Sequence, residues 1–157
     1  MSTIASYLSG DHEACDRLFA NAEEAAAAGR WDESTRLFDQ LRTAVERHFE
    51  AEEQVLFPAI EAHMANTMGP TRVMRREHEQ IREGLDELAG AVQERDASRC
   101  LGAAEAVLIM VQQHNIKEEQ ILYPMGDRLL GAGAAAVLEQ VCAVLFAAPL
   151  DGRGSVS

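Results

Sequence analysis

Two short runs of this sequence carry the same side chains: HFEAEEQVLFP at 48–58 and HNIKEEQILYP at 114–124. Each sets a histidine four residues before a glutamate. On an α-helix that spacing leaves the two side chains about 40° apart around the axis and about 6 Å apart along it. His48 and Glu52 therefore share one face, and His114 and Glu118 share another. Two lone histidines accompany them, His12 in DHE (11–13) and His78 in EHE (77–79). An offset of 66 residues carries the first set onto the second. Six of the eleven positions in the longer run are identical, and Val55/Ile121 and Phe57/Tyr123 are conservative pairs.

The neighbours decide which way these groups face. Leu41, Ala44, Val45, His48, Glu52 and Val55 form one stripe; Val107, Met110, Val111, His114, Glu118 and Ile121 form its counterpart. Leu8, His12, Cys15 and Phe19 align likewise, as do Met74, His78, Ile81 and Leu85. Each histidine thus takes a position where an amphipathic helix places a core residue. Burying such groups unpaired costs on the order of several kcal/mol each, and a carboxylate costs more. Metal coordination removes that cost, because neutral imidazole nitrogens and carboxylate oxygens are ligands for divalent first-row metals. Six ligands exceed what one metal with an open position needs. Two metals bridged by Glu52 and Glu118, each held by two histidines, fit the duplication. The nitrogen-and-oxygen set points to non-haem iron, with manganese or zinc as chemical alternatives.

Other polar residues near the motifs are given lesser roles. Glu53 and Glu119 lie about 140° from their histidines, so they are expected in solvent or as outer partners of the site. Asp16, four residues after His12, is expected to form a salt bridge or an outer contact. His63 has Leu129 at its repeat position and is expected on the surface; Cys15 is expected to be a small core residue. Val55, Leu56, Ile121 and Leu122 are expected to wall the site against water.

Helical periodicity runs through nearly the whole chain, and no stretch alternates like a strand. Asp11 is a candidate N-cap for a first helix closed by Gly29-Arg30-Trp31, with a short helical turn before it. Asp32 can cap a second helix that reaches Phe57-Pro58, where proline should kink or end it. After a loop at 66–70, a third helix runs from Thr71 to about Glu94. A fourth runs from Ala97 or Ser98 to Tyr123-Pro124. Beyond Gly126 and the Gly131–Gly133 turn, Ala134 to Ala147 forms a short fifth helix. The expected fold is all-α, an up-down-up-down four-helix bundle with a pseudo-two-fold internal repeat and a short C-terminal fifth helix. One domain should cover residues 1–148, with a disordered tail at 149–157.

Charge excludes some functions. The 157 residues hold 26 acidic against 14 basic side chains, a net charge of -12, so the chain repels nucleic acid and anionic membrane surfaces. Residues 132–150 are apolar but carry Glu139, Gln140 and Pro149, which argues against a membrane span. The N-terminus has neither the basic stretch nor the apolar run of a signal peptide. Cys15, Cys100 and Cys142 make no CxxC pair. A cytoplasmic protein is expected.

The order H…HxxxE…H…HxxxE, with Phe-Pro or Tyr-Pro after each HxxxE, resembles the haemerythrin-like (HHE) domain family over about residues 4 to 130. That resemblance implies an oxo- or hydroxo-bridged pair of non-haem iron ions that meets O2 or other small oxidants. Carried over, His12 and His48 hold one iron, His78 and His114 hold the other, and Glu52 and Glu118 bridge. Oxygen-carrying haemerythrins have a fifth histidine one helical turn before the third-helix histidine. Met74 stands there, which disfavours a carrier and leaves both irons similarly coordinated. The expected function is binding or sensing of O2, peroxide or nitric oxide. A catalase- or peroxidase-like enzyme at the same centre, or metal storage without turnover, are the alternatives. The fifth helix could support a dimer.

Overall fold

A computed structural model describes residues 2–65 and 69–147. In chain order it contains α1 (Ile4–Ala27), α2 (Trp31–Ala51), a π turn (Glu52–Leu56), α3 (Phe57–Glu61), α4 (Pro70–Gln93) and α5 (Ala97–Lys117). A second π turn (Glu118–Leu122), α6 (Tyr123–Leu130), a 3-10 turn (Gly131–Gly133) and α7 (Ala134–Leu145) follow. Each π turn joins its flanking helices into one rod, so four long rods form the expected bundle. No strand occurs among the described residues. α1 packs on α2 and α5, and α4 packs on α5 and α2. α7 lies against α2 and the first π turn, burying Val141 and Leu145. The expected disordered tail and most of the expected 66–70 loop fall outside the described residues.

Helix starts differ from expectation, at α1 because a better cap lies upstream. α1 begins at a capping box: the Thr3 hydroxyl accepts from the Ser6 N–H, and the Ser6 hydroxyl accepts from the Thr3 N–H, both at 3.0 Å. The Asp127 carboxylate reaches across from α6 and accepts the Ile4 and Ala5 N–H groups at 3.0 and 3.1 Å. A negative group is favourable at that helix end. Asp11 is therefore in mid-helix and caps nothing. Asp32 lies in the first turn of α2, beyond the Arg30 cap position. Pro70 opens α4, where its fixed φ suits the first helical position and its missing N–H costs nothing.

Pro58 and Pro124 do not end their helices. In a regular helix a proline ring clashes with the carbonyl four residues back. Here the Phe57 and Tyr123 N–H groups bond five residues back, to the Glu52 and Glu118 carbonyls. The wider turn accommodates the proline and absorbs one residue, which rotates everything after it. Leu56 and Leu122 are buried as expected, but Ile121 is 57 % exposed and walls nothing. In its place Phe57 and Tyr123 turn inward and are fully buried.

The core is split in two. Phe19, Phe38, Leu85, Val92 and Val107 belong to one apolar cluster. Leu8, Leu56, Ile60, Met74 and Tyr123 belong to another. Along the rods, the histidines and glutamates of the motifs occupy the level where these clusters meet. The helical run Ala97–Leu145 also contains an 18-residue window apolar enough by composition to cross a membrane, with mean hydropathy 1.5. Only 11 % of that window is buried, so its apolar character is not all spent on the core.

The internal repeat extends to the hairpin turns. Gly29 (φ 75°) ends the α1 side, and its repeat equivalent Arg95 (φ 55°) ends α4. A side chain in this left-handed region costs about 1–2 kcal/mol. The exposed Arg95–Asp32 pair at 3.2 Å offsets little of that cost. Arg95→Gly should stabilise the protein by about 0.5–1 kcal/mol, after the added unfolded-state freedom of glycine is subtracted. Thermal melts should show Tm rising by about 2–4 °C; a fall in Tm contradicts this account.

Candidate metal centre

The structure brings all six sequence-selected residues to one level of the bundle. His12, His48, Glu52, His78, His114 and Glu118 are buried, none more than 5 % exposed. Their donor atoms form two groups, His12/His48/Glu52/Glu118 and His78/His114/Glu52/Glu118, each with donors within 4.8 Å of one another. The two carboxylates belong to both. Glu52 turns Oε2 to His48 Nε2 at 3.3 Å and Oε1 to His78 Nε2 at 3.0 Å. Glu118 turns Oε1 to His12 Nε2 at 3.1 Å and Oε2 to His114 Nε2 at 3.2 Å.

An outer ring of carboxylates orients the imidazoles. His12 Nδ1–H donates to Glu119 and His48 Nδ1–H to Asp11, both at 2.7 Å. His78 Nδ1–H donates to Glu53 at 2.6 Å and His114 Nδ1–H to Glu77 at 2.8 Å. These four carboxylates obey the 66-residue repeat. Two of the bonds run between halves, Glu119 to His12 and Glu53 to His78, and lock the hairpins together. Such a bond fixes the ring and leaves the Nε2 lone pair inward, the arrangement a metal-ligating histidine needs. The ring is itself braced: Arg82 holds Glu53 and Glu46, and Lys117 holds Glu77. Glu53 and Glu119 are thus outer partners, one of the two expected roles. Asp11 and Glu77 escaped the sequence reading. An acidic residue directly before each lone histidine was the available signal.

A third finding breaks the symmetry. The Tyr123 hydroxyl donates to Glu52 Oε2 at 2.6 Å and lies 2.9 Å from Glu118 Oε1, 3.1 Å from His12 Nε2 and 3.1 Å from His48 Nε2. It touches every member of the first group. Phe57, its repeat equivalent, offers no hydroxyl to the second. There Glu52 Oε1, His78 Nε2, His114 Nε2 and Glu118 Oε2 all lack a hydrogen-bond partner. The close contacts between them are not aligned as hydrogen bonds. Four orphaned donors, buried together, are the feature a cation would satisfy. The residues present fit a divalent metal.

The remaining candidates sort by position. His63 is exposed, as expected. Met74 is 3 % exposed within the apolar cluster, and no group of potential metal donors includes Asp16. Burial pushes the Cys15 thiol up to about 11, which disfavours the thiolate. Cys15 lines a void of about 30 Å³ with His12, His48, His114, Phe49 and Ile81. A larger cavity of about 350 Å³, lined by Phe19, Leu41, Leu88 and Val92 among others, touches none of the six residues. Chemistry marks the site better than size does.

The electrostatics of the metal-free protein favour protons on His48, His78 and His114. Burial alone would lower the His114 imidazolium, but the close contact and charge of Glu118, with the charge of Glu52 and the hydrogen bond to Glu77, outweigh it and raise His114 to about 9. His48 and His78 move the same way against their burial, His48 through Glu52 and Asp11, His78 through Glu52 and Glu53. Glu118 is held well below the usual carboxylate range, because the neighbouring imidazoles of His114, His12 and His48 overcome its burial. A raised histidine stabilises the fold fully below its unfolded value near 6.5 and loses that contribution as pH rises through about 9. The depressed Glu118 contributes above about 4.5 and is lost as pH falls. In chelator, Tm should therefore peak between about pH 4.5 and 6.5 and decline toward pH 9. A Tm that rises from pH 6.5 to 9 in melts of the metal-free protein contradicts these interactions.

The site can be compared with known proteins. Residues 3–126 match the model of the hemerythrin HHE cation-binding domain. No curated protein and no solved structure matches the chain. The family match covers most of the sequence and includes all six clustered residues and the four carboxylates that orient them. This chain belongs to the hemerythrin HHE cation-binding domain family.

Proposed function

We propose that this protein is a non-haem di-iron protein that binds or senses O2, peroxide or nitric oxide. One observation carries the reading: each oxygen of Glu52 and Glu118 goes to a different histidine, and the four histidines divide into two pairs. Two carboxylates shared in this way are built to bridge two cations. His12 and His48 would hold one iron, His78 and His114 the other. Bound iron with open positions supplies redox chemistry and a place for a small oxidant to react. Manganese or zinc would satisfy the same donors.

This chain's own residues set the size of what enters. The space of about 30 Å³ beside His12, His48 and His114 is also bounded by Cys15, Asn115 and the apolar Val45, Phe49, Ile81 and Val111. A space of that volume suits a water molecule or a diatomic, and its apolar walls favour O2 or nitric oxide. Leu56, Leu122 and Phe57, at the π turns, are buried in an apolar cluster. A second reading, peroxide turnover, draws on the Tyr123 O–H, a proton held inside the centre by Glu52. Steady-state peroxide consumption by the iron-loaded protein separates enzyme from sensor, and iron release under reductant tests storage.

Iron reconstitution should yield two irons per chain by elemental analysis. His48→Ala or His114→Ala should lose metal and lower the Tm of the loaded protein, since ligand bound only to the folded state adds to stability. The exposed His63→Ala should do neither. One metal per chain removes the di-iron reading, and equal loss in His63→Ala removes this set of ligands.

Met74 packs as core, so no fifth histidine saturates either position. Stopped-flow mixing of the reduced iron protein with oxygenated buffer should show irreversible oxidation. A spectrum that reverts under vacuum and returns on re-oxygenation would restore an oxygen-carrier role.

A further inference from the structure

Two repeat pairs around the centre are chemically unlike, and both differ in the same sense. His78 stacks on Phe49 at 3.8 Å and on Phe57 at 5.6 Å between ring centroids. The equivalents of these two phenylalanines are Asn115 and Tyr123, and Tyr123 stacks on His12 at 5.6 Å. The duplication thus kept the ring geometry while giving the His12 side polar groups and the His78 side apolar ones. The Tyr123 oxygen stands 2.6–3.1 Å from all four donor atoms of the first group. Metal–donor bonds of about 2.0–2.2 Å place neighbouring donors about 3 Å apart. A fifth member of one coordination shell has that spacing, whereas a tyrosine that merely packed nearby would face one or two of the four.

We infer that Tyr123 is a seventh protein donor, confined to the His12/His48 position, which makes the two metal positions chemically different. The inference rests on the two-metal reading and replaces the expectation of two similar irons. The His12/His48 position has two nitrogens, two bridging carboxylate oxygens and the phenol oxygen. The His78/His114 position has the same donors without the phenol, with Phe49 and Phe57 against His78. An exogenous ligand therefore has more open coordination at the second position, and that is where a small molecule would bind first.

The test is spectroscopic and begins with the unmodified protein, loaded with iron-57 and oxidised in air. Two quadrupole doublets of equal area, together with a visible phenolate-to-iron charge-transfer band, are expected. Tyr123→Phe should keep two irons per chain, lose the band and merge the doublets. The exchange Phe57→Tyr with Tyr123→Phe should restore both signals, because it moves the hydroxyl to the other half. Azide added to the wild type should perturb one doublet before the other. A single doublet without the band in the two-iron wild type overturns the inference while leaving the di-iron reading intact, and needs no variant to fold. Unchanged spectra in Tyr123→Phe at two irons per chain overturn it equally. A wild-type chain that takes up no iron overturns both readings.

Discussion

Two fully buried carboxylates, Glu52 and Glu118, each lie between a histidine of one hairpin and a histidine of the other. A carboxylate in an apolar bundle costs several times what an apolar side chain returns, on the order of several kcal/mol, unless opposite charge surrounds it. That requirement orders the molecule. It draws four imidazoles inward and raises the affinity of His48, His78 and His114 for protons. It also divides the apolar core into clusters above and below a polar layer. Protons can meet the demand in the metal-free protein and cations can meet it in the loaded one, so one network supports both folding and binding.

The outer carboxylates turn this network into a positioned site. Asp11, Glu53, Glu77 and Glu119 each take one imidazole Nδ1–H, which leaves the opposite nitrogen aimed inward. The rings could not swing out without losing a charge-assisted bond, worth about 1.5–3 kcal/mol. Burial would raise Glu53, but bonds from His78 and Arg82 hold it at about 2, so it stays ionised throughout the physiological range. Because Glu53 and Glu119 cross between hairpins, the same bonds that aim the ligands also set how the two halves dock.

The π turns connect backbone to chemistry. A proline six residues after each buried glutamate forces a wider turn, and an i to i+5 turn stacks residue 123 over residue 118 and residue 57 over residue 52. In an unbroken α-helix Tyr123 would lie about 180° from His114, pointing away from the site. The wider turn brings its hydroxyl onto the ligand atoms and sends Ile121 to the surface. Helix geometry adjacent to the centre therefore determines which aromatic group the centre sees.

Much of this was legible in the linear sequence, for a physical reason. His48/Glu52 and His114/Glu118 are one helical turn apart, so spacing alone places them on one face, and the 66-residue repeat implies that four histidines meet. Helix count and the bundle follow from an apolar stripe that repeats every 3.6 residues. The sequence could not show which carboxylate serves which ring, because Glu119 reaches His12 across 107 positions and Asp11 reaches His48 across 37. The Asp11–His48 pairing exists only once α1 packs on α2, and the Glu119–His12 pairing only once the hairpins dock. Nor does a 3.6-residue pattern register a π turn, so by period alone Ile121 faces inward and Tyr123 differs from Phe57 only conservatively. Local periodicity determined the six inward residues; helix packing within and between the hairpins decided their partners, and the extra residue in each π turn made the two halves of the centre unlike.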